Sequence, residues 1–390
     1  MPQQRGVMVL CSAFILLMNY FILILPFLLA VFLGRTIIPY ILLITYKRRL
    51  FDPVDSRKLH QSSIPRLGGM VFMPVQLCLL AVALVIIFNF DLYQLFYPPI
   101  ATWTVLPMFV VWAVGMIMLY IIGLADDLVN VNYKWKFLIQ ILAASLFPLS
   151  GLWINDVYGF FFIIKVPFWL GYLITVFATV LIINAINLID GLDGLCSGLV
   201  CVSCLVMGGL FLYNGAWLHT LLAWITAGVL MPFFYYNVFG VSKRKRRIFM
   251  GDTGSMTLGY TVAFLAISYS MNLQEIKPFA EGAIVVAFST LIVPVFDVVR
   301  VVFIRFYKGK PLFKADRSHL HHKLLRSGFS QRGAMLSIIG LALFFSVFNL
   351  IAVNYISNNI VILLDLLFWG LITLVFNMIV NHKKRQIIIN

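Results

Sequence analysis

Charge is what this 390-residue sequence has least of: Asp, Glu, Lys and Arg together make up 11% of it, and only 14 residues are acidic. Polar stretches are short as well, and none is long enough to fold as a separate soluble domain, so residues 1–390 read as one integral-membrane domain. Hydrophobic residues reach 62%, with a mean hydropathy of +1.00. A water-soluble chain of this length could not hide that much apolar surface, which excludes a soluble enzyme and implies a polytopic membrane protein. Because the bilayer core offers no water to backbone groups, the spans must be helices, and the expected fold class is all-α. Cysteine is scarce too, with five residues, nearly all inside apolar runs. Cys201 and Cys204 stand one helical turn apart in such a run, without the further ligands that a zinc or redox site needs. The beginning of the chain lacks a short apolar region followed by a small-residue cleavage site, so the first run reads as a retained span.

The apolar runs predict eleven spans. The first, within 7–46, is too long for one straight crossing and reads as a single crossing with a helical extension ending at Lys47-Arg48-Arg49. The others cover about 69–88, 105–124, 137–154, 168–183, 195–213, 217–238, a run opening at about 255, and then 284–306, 334–355 and 361–380. Alternate loops divide the basic residues twenty-four against three, with Arg35 and Arg300 lying within runs. That asymmetry places loops 47–68, 123–136, 184–195, 239–255 and 307–333 in the cytoplasm, with the N-terminus outside and the C-terminus inside. The net charge of +15 follows largely from this bias. Basic clusters confined to short loops speak against a nucleic-acid partner and are compatible with anionic lipid or diphosphate.

The acids are not scattered. Asp126, Asp127, Asp190, Asp193 and Asp252 all abut apolar helix ends on the cytoplasmic side. Asn184-Ala-Ile-Asn187-Leu-Ile-Asp190-Gly-Leu-Asp193-Gly-Leu195 carries more polar groups than a turn requires, and ionisable groups at a membrane edge point to function. Like charges so grouped would repel, whereas a hard divalent cation takes a few carboxylate oxygens and completes its shell with water and phosphate. That favours Mg²⁺, with Mn²⁺ as the alternative. Asp316-Arg317-Ser318-His319-Leu320-His321-His322-Lys323 supplies donors for phosphate oxygens. In Phe249-Met-Gly251-Asp252-Thr253-Gly-Ser255, helix-start amides suit an anion, and Phe249 reads either as a stacking platform for a flat base or as an interface anchor.

Taken together, RKLH…PRLGG at 57–69, GLADD at 123–127, NAINLIDGLDGL at 184–195, FMGDTGS at 249–255 and DRSHLHHKLL at 316–325 resemble the polyprenyl-phosphate N-acetylhexosamine-1-phosphate transferases, glycosyltransferase family 4. The His-Leu-His-His form is similar to the WecA/TagO branch more than to the MraY branch. The resemblance implies transfer of a sugar 1-phosphate, foremost GlcNAc-1-phosphate, from a UDP-N-acetylhexosamine to undecaprenyl phosphate at the inner face of a bacterial cytoplasmic membrane, with release of UMP. UDP-GalNAc, UDP-FucNAc-type sugars and UDP-MurNAc-pentapeptide are the alternative donors, and a homodimer is compatible with it. It implies that Asp252 is the main metal ligand, with Asp126 or Asp127 completing the site and one of that pair orienting or deprotonating the lipid phosphate. Asn187, Asp190 and Asp193 would position nucleotide and diphosphate; His319, His321 and His322, with Arg317, would bind diphosphate or sugar. Asn184, Lys134, Arg57 and His60 are further substrate-binding candidates. The rival reading, a transporter or flippase, calls for charges at mid-membrane and internal repeats. Here the acids lie at one face, and Arg300 has Asp297 one turn away as a partner.

Overall fold

The computed structural model describes residues 2–48, 50, 65–95, 104–160, 163–241, 246–309 and 318–389, and of these gives 2–19, 94–95 and 383–389 as backbone alone. Arg57, His60 and Arg317 therefore lie outside the described residues. Helix α1, Pro2–Arg48, runs unbroken through Pro26 and Pro39 and packs on α7, Trp217–Val238. A short 3₁₀ turn, Leu67–Val71, leads into α2, Phe72–Asn89. Then come α3, Leu106–Val129, α4, Tyr133–Leu149, α5, Phe168–Ile189, and α6, Leu195–Tyr213. After α7 follow α8, Gly251–Ser270, α9, Ala283–Ser289, α10, Ile292–Tyr307, α11, Leu320–Arg326, α12, Gln331–Ala352, and α13, Asn358–Ile389.

Each of the eleven expected segments is helical. Eight helices are long and apolar enough to cross a membrane, or nine if the bent α9–α10 pair is one span. The two outside that set have physical reasons. Helix α4 has 17 residues, ending at Leu149 and not near Ile154. Helix α8 is rich in Gly, Ser and Thr, but it is buried from Thr253 to Ser270 against α3, α5, α6 and α9, so it never has to satisfy lipid. Small residues let its neighbours approach: a Cβ on Gly259 would sit 2.8 Å from Ile183 Cα of α5. Tyr260 stacks on Phe147 at 4.6 Å and donates to Ala143 O at 3.1 Å, locking α8 to α4.

Two expectations are corrected. The chain is not purely α: Asp156–Phe160 (β1) pairs antiparallel with Ile163–Lys165 (β2), in the loop between α4 and α5. The run 284–306 is not one straight helix either; α9 and α10 meet at 81°. Pro294 accounts for the break, because it has no N–H to donate to Thr290 O and its ring collides with that carbonyl in a continuous helix. The freed Thr290 carbonyl instead accepts from Ser203 Oγ of α6 at 3.4 Å.

Candidate active site

The polar motifs converge at one end of the bundle because they cap one another. Helix α8 starts without a side-chain cap of its own. Asp127 of α3 supplies it: Oδ1 accepts from Asp252 N at 2.8 Å, and Oδ2 from Thr253 N at 3.0 Å and Thr253 Oγ1 at 2.6 Å. A carboxylate there satisfies orphan amides and meets the positive end of the helix. The approach depends on Gly251, whose φ is +73° and where a Cβ would lie 2.7 Å from Asp127 Oδ1. Backbone bonds from Gly68 N to Phe249 O, Gly69 N to Met250 O and Phe249 N to Pro65 O sew the PRLGG segment to the same loop. Asn237 of α7 ties in the third motif, accepting from Gly194 N at 2.6 Å and donating to Ile248 O at 2.8 Å.

The neighbouring turn is equally determined. Asp126 Oδ1 accepts from Val131 N at 2.8 Å, Asn130 adopts the left-handed conformation at φ +55°, and Asn132 Oδ1 caps α4 by accepting from Lys134 N at 3.0 Å. That cap sets the rotation of α4. Lys134 points outward and is exposed, whereas Lys136, with Gln140 one turn on, faces the cavity. Lys136 Nζ bridges Asp126 Oδ2 at 3.1 Å and Asp252 Oδ2 at 2.8 Å. The basic residue beside the carboxylates is thus Lys136 and not Lys134.

A cavity of about 380 Å³ opens beside this bridge. Asp252, Lys136, Asn184, Asn187 and His319 form its polar end, while Phe177, Val180 and Leu181 of α5 and Val298, Val301 and Val302 of α10 form apolar walls. Asn184 donates to Gln140 Oε1 at 2.7 Å, and Asn187 to Ser255 Oγ at 2.8 Å. His319 Nδ1 meets Asp297 Oδ2 at 2.8 Å, and Arg300 Nη2 holds Asp297 Oδ1 and Ser318 O, each at 2.7 Å. The Asp297–Arg300 pair therefore braces the histidine loop. His321 is buried, stacks on His319, meets the His322 ring at a tilt, and lies under Gly191, where a Cβ would come 2.9 Å from its Nε2. Neither ring nitrogen of His321 has a hydrogen-bond partner. Burial, then the neighbouring His322 and His319, push its pKa down to about 3, so it is neutral near pH 7.

Asp193 pairs with Arg247, whose guanidinium also lies 5.9 Å from the Phe249 ring centre. Asp190 has no basic partner among the described residues; burial first, then the charges of Asp252 and Asp127, hold its pKa well above the carboxylate range. Lys136, Asp297, Gln140, Ser255, Asn237 and Arg247 are site or bracing residues that the sequence reading did not assign. The helical spacing of Lys136 to Gln140 was the available signal for the first of them.

Among the described residues no group of three His, Cys, Asp or Glu side chains forms a metal cage by itself. The carboxylates beside the bridge nevertheless suit a hard ion: Asp126 and Asp252, both held by Lys136, offer oxygen donors. An ion of the Mg²⁺ type needs only one or two carboxylates when substrate phosphates and water complete its shell.

Residues 109–270 match the family profile of glycosyl transferase family 4. A Bacillus subtilis (strain 168) protein named probable undecaprenyl-phosphate N-acetylglucosaminyl 1-phosphate transferase is 31% identical over 320 residues, covering 80% of this chain and 79% of its own. Proteins from Yersinia pestis and Escherichia coli K12 named undecaprenyl-phosphate alpha-N-acetylglucosaminyl 1-phosphate transferase are each 29% identical. The alignments cover 76% and 74% of this chain, and 74% and 72% of the relatives.

Proposed function

The chain belongs to glycosyl transferase family 4, and from that we propose that it transfers GlcNAc-1-phosphate from UDP-GlcNAc to undecaprenyl phosphate, releasing UMP. The observation that carries this reading is the cavity in which a charged end and a hydrocarbon-lined groove are continuous. A polyprenyl phosphate needs both in one place. Its tail lies between α5 and α10, and its phosphate reaches Lys136 and Asp252.

In the reaction an oxygen of the lipid phosphate attacks the sugar-bearing phosphorus of UDP-GlcNAc. A new P–O bond forms, the anhydride bond breaks, and UMP leaves with its electron pair. Phosphoryl transfer needs positioning and charge neutralisation more than covalent help from the protein. Asp252, with Asp126 nearby, would hold Mg²⁺, which when bound neutralises diphosphate charge. Lys136 donates to phosphate oxygens and, by its charge, offsets the repulsion between Asp126 and Asp252. Asp297 holds Nδ1–H of His319, which leaves Nε2 for the substrate. His321, neutral and unpartnered, offers a hydrogen bond to the sugar diphosphate beside Gly191. Asp127, with both oxygens engaged by the start of α8, positions Asp252 and is not itself a ligand. Asp193, Arg247 and Phe249 bound the nucleotide end. The basic loops favour a cytoplasmic position for this face, and the bacterial relatives support a bacterial cytoplasmic membrane as its location.

Radiolabelled UDP-GlcNAc, mixed with purified protein, undecaprenyl phosphate and Mg²⁺, should pass its sugar label into the organic-extractable lipid. Label that stays wholly in the aqueous phase with folded protein would refute the reading.

A further inference from the structure

A second cavity, of about 240 Å³, lies away from the carboxylates, in the angle that the 81° bend opens between α9 and α10. Its walls include Val157 and Phe160 of β1, Phe288, Phe296, and Ile362 of α13. One lining residue breaks the apolar pattern. Asp365, two turns into α13, is 2% exposed. Its Oδ2 accepts from Asn349 Nδ2 of α12 at 2.9 Å. Its Oδ1 is buried without a partner, and so is Asn349 Oδ1. Among the described residues no basic side chain pairs with Asp365.

A carboxyl group inside a membrane helix is costly to keep, and each buried acceptor left unpaired adds to that cost. Here two acceptors lack donors beside an apolar space. An alcohol brings one donor, whereas a primary ammonium brings three, with a charge opposite to that of a carboxylate. At about 30 Å³ per water-sized group, the cavity also has room for roughly eight methylenes. We propose that this cavity binds an amphiphile that presents a primary ammonium group to Asp365 and Asn349 and lays its alkyl chain against α9, α10 and β1. The site is independent of the transferase reaction, and Asp365 has no part in the chemistry assigned above.

The test is photolabelling of the purified full chain in lipid nanodiscs with a diazirine-bearing octylamine, followed by peptide mapping. Saturable labelling of peptides from α9, α10 or α13 is expected. Octylamine should compete at least roughly tenfold better than octan-1-ol or octyltrimethylammonium, because a hydrogen bond to a charged group is worth that factor or more. Asp365→Leu should abolish saturable labelling, and Asp365→Asn should weaken it by about tenfold, with folding checked by thermal unfolding. Undiminished labelling in Asp365→Leu, equal competition by octan-1-ol, or label confined to other helices would overturn the proposal. The competition series on the unaltered protein decides the matter alone if Asp365→Leu fails to fold.

Discussion

Lys136 and Lys134 are two residues apart, yet their roles differ as sharply as any pair in the chain. Lys136 joins Asp126 to Asp252, and Lys134 faces outward. Lys136→Met should lower kcat by about a hundredfold or more, the usual cost of removing a charge-stabilising donor, while Lys134→Met stays near the unaltered rate. Equal loss in both variants would place the working lysine elsewhere. Asp252→Asn should abolish turnover and weaken the response to added Mg²⁺; retained activity with normal metal dependence would remove Asp252 from the centre. His321 makes a prediction in pH. Its folded pKa of about 3 lies below the ordinary histidine value of about 6.5, so the unfolded chain binds the proton first. Its contribution is complete above pH 6.5 and declines as pH falls toward 3, with roughly 2–3 kcal/mol lost by pH 4.5. Between pH 7 and 4.5 the thermal midpoint of the unaltered protein should therefore fall further than that of His321→Gln. Equal falls would show that the imidazole is solvated in the folded state.

Among the elements, α8 is the one on which the site is built, and its start is held by another helix. Gly251→Ala adds a side chain at φ +73°, costing about 1–2 kcal/mol for the left-handed backbone, and forces Asp127 away from the α8 amides. Thermal stability and kcat should both drop, and a variant unchanged in both would show that the Asp127 cap is dispensable. The sequence displayed the pieces of this arrangement without their joints. The motifs at 123–127, 184–195 and 249–255 were legible because carboxylates at apolar helix ends are expensive unless used. That Asp127 caps α8 while Asp126 meets Lys136 was not, since both depend on how two distant helices abut. Helix α8 was legible as a helical run, but not why it tolerates so many small polar residues: protein surrounds it from Thr253 to Ser270. The α9–α10 break did have a local signal in Pro294, hidden in a run that composition alone reads as continuous. The β1–β2 pair lay in an aromatic-rich loop without alternating polarity, so nothing in its pattern announced strands.

At the scale of the whole molecule, composition was enough to establish a multi-helix membrane protein, and charge asymmetry to propose which face looks inward. The polar ends of α3, α4, α5, α8 and α11 share one face with the basic loops, so a reporter fused to the C-terminus should read cytoplasmic. An external reading would reverse the orientation and put the site on the wrong side for a nucleotide-sugar donor. The apolar walls of α5 and α10 run up to Asp252 in one cavity, an arrangement that no feature of the sequence placed. The reaction itself is tested most directly by UMP release from a panel of UDP-sugars, with purified protein, undecaprenyl phosphate and Mg²⁺. UMP formed from UDP-GlcNAc in preference to the other donors, and lost on adding EDTA, is the predicted result. No UMP from any donor, with the protein shown to be folded, would contradict the assignment as a sugar-1-phosphate transferase.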